Sequence, residues 1–253
     1  MKLISFNVNG VRATVKKGLL DTIRGLDADI YCFQETKATE AQVAEALAEL
    51  KGYHVHANSA DRAGYSGTAI LSKEEPLKVD MGIGIAEHDT EGRVITATFK
   101  DHIVVCAYVP NSGEGLRRLD YRQQWDDALR TYLSKLASGK RPVIFTGDLN
   151  VAHQPIDIAR PKDNYNKTAG YTQVEIDGMT KLLDAGFTDT FRHFHPEAVK
   201  YSWWSFRMQA RARNVGWRID YVLVSKGFEQ KVKDAFILNE VMGSDHCPVG
   251  ITW

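Results

Sequence analysis

Several predicted strands end in side chains that suit a hard metal ion or a phosphate. Asn7 and Asn9 close the first apolar run, and Glu35 closes the second. Asp148 and Asn150 close Val143–Gly147, Asp220 opens Tyr221–Val224, and Asp245 and His246 precede the last run. Carboxylate and carboxamide oxygens are the donors Mg²⁺ takes, while amide and imidazolium N–H groups hold phosphate oxygens. The pattern points to metal-assisted phosphoester hydrolysis.

Residues two apart in an extended segment face the same side, so Asn7 goes with Asn9 and Asp148 with Asn150. Gly147 allows backbone or substrate to come close. Lys37 shares the side of Glu35 and can orient its carboxylate. Asp245 stands beside His246, and a further buried acid such as Asp220 would fix the imidazole tautomer and favour its protonated form. Each of these signals alone reads more readily as a turn cap or a solvated strand end. Their recurrence at several strand ends carries the argument.

The elements that must position these groups are legible as periodic runs. Strand-like runs cover 2–8, 29–34, 53–57, 67–72, 93–99, 102–109, 142–147, 219–225 and 247–252, and helical patterns cover 39–50, 117–137 and 173–185. Strands bunch between 53 and 109, which suits hairpins more than strict βαβ alternation. A layered α/β architecture with mixed sheets is expected, as one domain over 1–253. The longest irregular stretch, 151–172, has the length of a functional loop.

Composition narrows the classes. The chain has 253 residues, 43% of them hydrophobic, with 32 Lys+Arg against 32 Asp+Glu. With charge balanced, a polyanion can bind only if basic residues gather on one face. Cys32, Cys106 and Cys247 form no CxxC pair and no zinc spacing; Cys32 and Cys106 lie in strand-like runs and are expected to be buried. That usage suits a reducing compartment. No signal-peptide stretch or membrane-length run is visible, so a soluble, cytoplasmic protein without a membrane partner is expected.

The chain resembles the exonuclease III-type apurinic/apyrimidinic endonucleases of the endonuclease/exonuclease/phosphatase superfamily. The matching segments are Ser5–Gly10, Gln34–Lys37, Gly64–Gly67, Tyr108–Asn111, Gly147–His153, Asn214–Tyr221 and Gly243–Pro248, in family order from end to end. The resemblance implies a four-layered α/β sandwich, two mixed β-sheets flanked by helices. It implies Mg²⁺- or Mn²⁺-dependent cleavage of the phosphodiester 5′ to an abasic site in double-stranded DNA. It also implies 3′-phosphodiesterase and 3′→5′ exonuclease activity on blocked 3′ ends, by a monomer. Carried over residue by residue, Glu35 is the main metal ligand, with Asn7 and Asp245 as further ligands or ligand-orienting groups. Asp148 deprotonates the attacking water. Asn150, Tyr108 and His246 hold the scissile phosphate, and Asp220 orients His246. In a two-metal variant Asp148, Asn150 and His246 would join the ligands. Asn111, Asn164, Lys37 and Tyr65 are implied substrate contacts.

Three positions depart from the family pattern. Phe6 stands where a Trp often precedes the first Asn. The loop Asn164-Tyr165-Asn166-Lys167-Thr168-Ala169-Gly170 has one extra residue, leaving Asn164 or Asn166 for the family's first Asn. Glu114 occupies a position where some members place a basic residue against DNA.

Trp203 and Trp204 are followed by Arg207, Arg211, Arg213 and Arg218, and aromatics interleaved with arginines suit nucleic acid. The bland reading is core packing for at least one Trp. The resemblance puts Trp203, Trp217 and Ile219 around an extruded baseless sugar, and Arg207 where a side chain enters the duplex. Lys73 reads as a phosphate contact or as part of a polar face. Two competing functions are a superfamily phosphatase acting on phosphoinositides or sphingomyelin and a catalytically dead binding module. The segment 214–221, the tryptophans and the arginines favour DNA.

Overall fold

The computed structural model describes residues 1–253. Its strands are β1 (Lys2–Asn7), β2 (Ile30–Gln34), β3 (His54–Asn58), β4 (Thr68–Ser72), β5 (Lys78–Met81), β6 (Val94–Thr98), β7 (Ile103–Tyr108), β8 (Val143–Asp148), β9 (Phe187–Asp189), β10 (Asp220–Ser225), β11 (Asp234–Ile237) and β12 (Val249–Thr252). The helices are α1 (Val11–Val15), α2 (Leu19–Leu26), α3 (Glu40–Ala46), α4 (Ala86–Asp89), α5 (Leu119–Ala137), α6 (Pro161–Asn164), α7 (Gln173–Asp184) and α8 (Thr190–Phe194). The strands form two six-stranded sheets, ordered β11-β12-β1-β2-β4-β3 and β5-β6-β7-β8-β10-β9. Each is mixed: β1 and β2 are parallel, as are β7 and β8, and the other pairs are antiparallel.

Three apolar layers hold the sandwich. Leu3, Ile30, Cys32, Val104, Cys106, Ile144 and Val222 meet between the sheets. Phe145, Tyr221 and Leu223 on the outer face of the second sheet pack under Trp125, Leu129 and Leu133 of α5 and Met179 of α7. Ile4, Phe6, Tyr31 and Phe33 on the outer face of the first sheet pack under Val11, Leu19, Ile23 and Val43 of α1, α2 and α3. Helix, sheet, sheet and helix make the four layers. Phe6 at the departed position is a buried member of the last cluster, a packing change. α3 and α7 start at Thr39 and Thr172, whose hydroxyls accept from Gln42 N and Glu175 N in capping boxes.

The unanticipated strands β5, β9 and β11 are all sheet edges. Lys78-Val79-Asp80-Met81 alternates but is only four residues long with none of them buried, and β9 has only three residues. No helix is long and apolar enough to cross a membrane.

Period-two alternation builds the site directly. The positions facing between the sheets run Leu3-Ser5-Asn7, Ile30-Cys32-Gln34, Val104-Cys106-Tyr108 and Ile144-Thr146-Asp148. Each row begins apolar and ends polar at the same edge of the sandwich. Because β10 runs antiparallel to β8, its first residue, Asp220, pairs with Asp148, and Tyr108 pairs with Asp148 from the other side. Gly147 is required there, since a Cβ would stand 1.8 Å from the Ala107 carbonyl oxygen.

Candidate active site

The polar strand ends converge at one end of the inter-sheet layer. Asn7 Nδ2 donates to Glu35 Oε1 at 2.9 Å and to Asp148 Oδ2 at 2.8 Å, joining the two sheets. The Asn7 oxygen accepts from the Asn9 N–H at 3.0 Å, so both ends of this carboxamide are engaged, and its amide nitrogen orients the two carboxylates. Lys37 Nζ lies 2.7 Å from Glu35 Oε2 and donates to Asn9 Oδ1 at 2.6 Å. Asn9 Nδ2 reaches Asp245 Oδ1 at 2.9 Å. His246 Nδ1 is 2.9 Å from Asp220 Oδ2, and its Nε2 is 3.7 Å from Asp148 Oδ2. Asn150 donates from Nδ2 to the Val109 carbonyl and accepts from Asn111 Nδ2 at 3.0 Å.

Backbone conformation aims several of these groups. Asn9, Glu35, Lys37 and Asn150 all take left-handed φ values of 45–51°. That region is uncommon outside glycine and costs on the order of 1–3 kcal/mol per residue, so the surrounding structure must hold it. A strand that continued straight past Gln34 would carry Glu35 away from Asp148.

Electrostatics separates the ionisable groups. Burial pushes the Asp148 carboxyl up to about 7; His246 opposes this, and Asp220 and Glu35 add to it. Burial alone would lower His246, but Asp220 and Asp148 outweigh it and lift the imidazole to about 10, so it stays protonated. Burial would also raise Glu35 and Asp245. Lys37 and Asn7 hold Glu35 below the usual carboxylate range, and His246, Asn9 and Trp203 do the same for Asp245. Burial raises the Tyr108 phenol well above its ordinary value, and Glu35 and Asp148 add to that.

A divalent cation fits this donor set. Ligand atoms of Glu35, Asp148 and His246 lie within 4.8 Å of one another. With His246 protonated, the available donors are carboxylate oxygens, which suit a hard divalent cation. Asp245 is outside this trio, and its two oxygens are held by Asn9 and Trp203.

A cleft of about 520 Å³ opens onto the cluster. Trp203, Trp217 and Ile219 form one wall, the two indoles meeting edge to face with centroids 6.0 Å apart. Asn111, Glu114, Lys167 and Thr168 line it elsewhere.

Other expected contacts fall elsewhere. Neither Asn164 nor Asn166 lines the cleft. Asn164 caps its own loop through the Arg160 carbonyl and Thr168, and Asn166 accepts from Gln173 N. From this loop, Lys167 and Thr168 line the cleft instead. Arg207 is exposed but outside the cleft lining. The Tyr65 hydroxyl accepts from Arg93 at 2.9 Å and Arg118 at 3.3 Å. Three basic residues are corrected. Arg218 is fully buried between Asp157 and Asp189. Arg211 donates to the carbonyls of Ser244, His246, Asn239 and Val241 and stacks on Trp204, the buried Trp of the pair. Lys73 pairs with Asp27 at the opposite end of the sheet.

Sequence reasoning missed a basic groove beside the site. Exposed Arg12, Lys16 and Lys17 line a depression of about 760 Å³ that includes Gly10 and Thr36. The charge run directly after Asn9 was the available signal. It also missed Arg93, buried beneath Tyr108.

Residues 4–246 match the sequence profile of the Endonuclease/Exonuclease/phosphatase family. The chain belongs to this family. It is 53% identical to the exodeoxyribonuclease of Bacillus subtilis (strain 168) over 251 residues, covering 98% of both chains. It is 51% identical to the DNA repair nuclease APEX1 of Danio rerio over 98% of this chain and 81% of that one. Within the family it is therefore of the exonuclease III type. The crystal structure of the AP endonuclease LMAP from Leishmania major superposes with a TM-score of 0.89 at 32% identity, covering 99% of this chain and 86% of the other. A 3′ phosphatase NExo from Neisseria, bound to product DNA hairpin, gives 0.91 at 27% identity over 100% and 99%.

Proposed function

We propose that the protein is a DNA-repair nuclease that hydrolyses the phosphodiester 5′ to an abasic site in double-stranded DNA. It also removes blocked 3′ ends as a 3′-phosphodiesterase and degrades DNA as a 3′→5′ exonuclease. The observation that carries the reading is the juxtaposition of Asp148, protonated His246 and Glu35 with a cleft walled by two indoles. Whole-chain likeness to proteins named as nucleases supports it over a phospholipid or inositol phosphate phosphatase. The enzyme acts as a monomer, since one chain supplies every group invoked, and its three free cysteines suit the reducing cytoplasm.

Asp148 accepts a proton from the attacking water, with Asn7 fixing its Oδ2. His246 donates from Nε2 to a phosphate oxygen, held in tautomer and charge by Asp220. Asn150 gives one amide hydrogen to Val109 and keeps the other for the phosphate. Tyr108 donates its hydroxyl. Glu35, positioned by Lys37 and Asn7 and with Asp148 beside it, would hold Mg²⁺, for which Mn²⁺ can substitute. The bound cation supplies Lewis-acid neutralisation of phosphoryl charge. A general base alone contributes ~10²–10⁴-fold, whereas phosphoester hydrolysis demands barrier lowering of about 20 kcal/mol or more. The rest must come from preorganised charge and positioning, which is what the crowded hydrogen-bond network provides.

Trp203, Trp217 and Ile219 accept a bare deoxyribose. Extruding it costs least where no base is stacked or paired. Arg12, Lys16 and Lys17 supply a basic flank for duplex phosphates.

The test compares duplexes carrying an abasic analogue, a 3′-phosphate or no damage, with and without Mg²⁺. Metal-dependent incision of the abasic duplex and release of the 3′-phosphate are expected, with undamaged DNA cut slowly. Undiminished cutting after chelation contradicts the reading. So does an inert protein on DNA that hydrolyses inositol phosphates.

A further inference from the structure

We infer that Arg93 is a positioning residue for the reaction, acting through Tyr108. The inference rests on the nuclease reading of the cleft. Arg93 precedes β6 and is 2% exposed, so a permanent cation sits in the wall of the sandwich directly behind the site. Its guanidinium carbon lies 4.7 Å from the centroid of the Tyr108 ring. Nη1 donates to the Tyr108 carbonyl at 3.0 Å, and the Tyr108 N–H donates back to the Arg93 carbonyl at 2.8 Å. Ring and backbone of Tyr108 are thus both held by one residue.

The other end of the guanidinium reaches outward. Nη2 donates to the Tyr65 hydroxyl at 2.9 Å, and Nε pairs with Glu91, which also takes Arg118. Arg93 therefore ties the 61–66 loop to the residue at the end of β7. Five donors in a planar fork allow simultaneous stacking and three-way bonding, which a lysine ammonium cannot reproduce. A cation against the π face fixes the ring's plane and draws electron density from the phenol, so its O–H is aimed and strengthened as a donor toward developing phosphate charge. Small displacements of such a group lower rates steeply.

The test is a double-mutant cycle on abasic incision, with Arg93→Met and Arg93→Lys each combined with Tyr108→Phe. Lysine keeps a charge for Glu91 and so preserves the fold, but loses the planar stack. Either substitution should lower kcat about tenfold or more with KM within about threefold. In the Tyr108→Phe background the same substitutions should cost less than about threefold, because coupled residues are non-additive. Arg93→Lys folded with wild-type kcat overturns the inference, as does full additivity with Tyr108→Phe. A wild-type protein that does not incise abasic duplex, by contrast, removes the nuclease reading itself.

Discussion

His246 stands between two carboxylates, with Nδ1 2.9 Å from Asp220 Oδ2 and Nε2 3.7 Å from Asp148 Oδ2. The outer acid makes the imidazole cationic, and the inner one is kept only loosely ionised. A base must be deprotonated and a phosphate donor protonated. Activity should therefore fall below about pH 7, where burial returns a proton to Asp148, with a bound cation moving that limb lower. It should fall again on the alkaline side, where His246, lifted to about 10 without a cation, loses its proton, and a bound cation moves this limb lower as well. Asp220→Asn removes the largest charge favouring the imidazolium, so the alkaline limb should move to lower pH by about one unit or more. A limb that stays put would show that Asp220 does not set the charge of His246.

Glu35 is the carboxylate best presented to a cation. Glu35→Gln should raise the Mg²⁺ concentration for half-maximal incision at least about tenfold and weaken calorimetric Mg²⁺ binding in parallel. Activity of the wild type that survives exhaustive chelation would refute the metal assignment.

The indole wall predicts a loss of discrimination. Trp217 packs edge-on against Trp203 and Tyr171 and is only partly buried. Trp217→Ala should slow abasic incision and raise the relative cutting of undamaged DNA. Truncating a core Trp costs ~3–5 kcal/mol, so thermal melting separates unfolding from pocket widening. A folded variant with an unchanged ratio of abasic to undamaged cutting rules out the pocket.

Net charge is balanced, but if the groove lined by Arg12, Lys16 and Lys17 faces DNA as proposed, it should reveal itself in salt. Affinity should fall steeply as salt rises, and Lys16→Ala or Arg12→Ala should each reduce the slope of log affinity against log salt by about 1. A flat dependence in the wild type is the contrary result.

The convergence of the polar strand ends was legible in part because it rests on local rules. Asn7, Asp148 and Asp220 were readable as strand ends, and period-two alternation turns them inward, whereas Glu35 and Lys37 meet through left-handed backbone that the sequence does not announce. The central strands were equally readable, since burial on both faces leaves long apolar runs. What failed depended on distant partners. Arg218 looked like a surface cation because Asp157 and Asp189, 61 and 29 residues away, are invisible to a local reading. Arg211 satisfies backbone carbonyls about 28–35 residues on. Asn164 bonds within its own loop, whose path a local reading does not give. The edge strands β5, β9 and β11 have three or four residues each, too few for alternation to stand out.

The most direct measurement is single-turnover incision of an abasic duplex by Asp148→Asn, beside its affinity for the same duplex. An amide cannot accept the water proton, but it keeps the shape of the side chain and removes a negative charge facing phosphate. Incision should drop by ~10²-fold or more while binding is unchanged or tighter, because a transition-state interaction has been lost and not ground-state binding. Incision within about tenfold of wild type by a folded variant would mean that Asp148 is not the base.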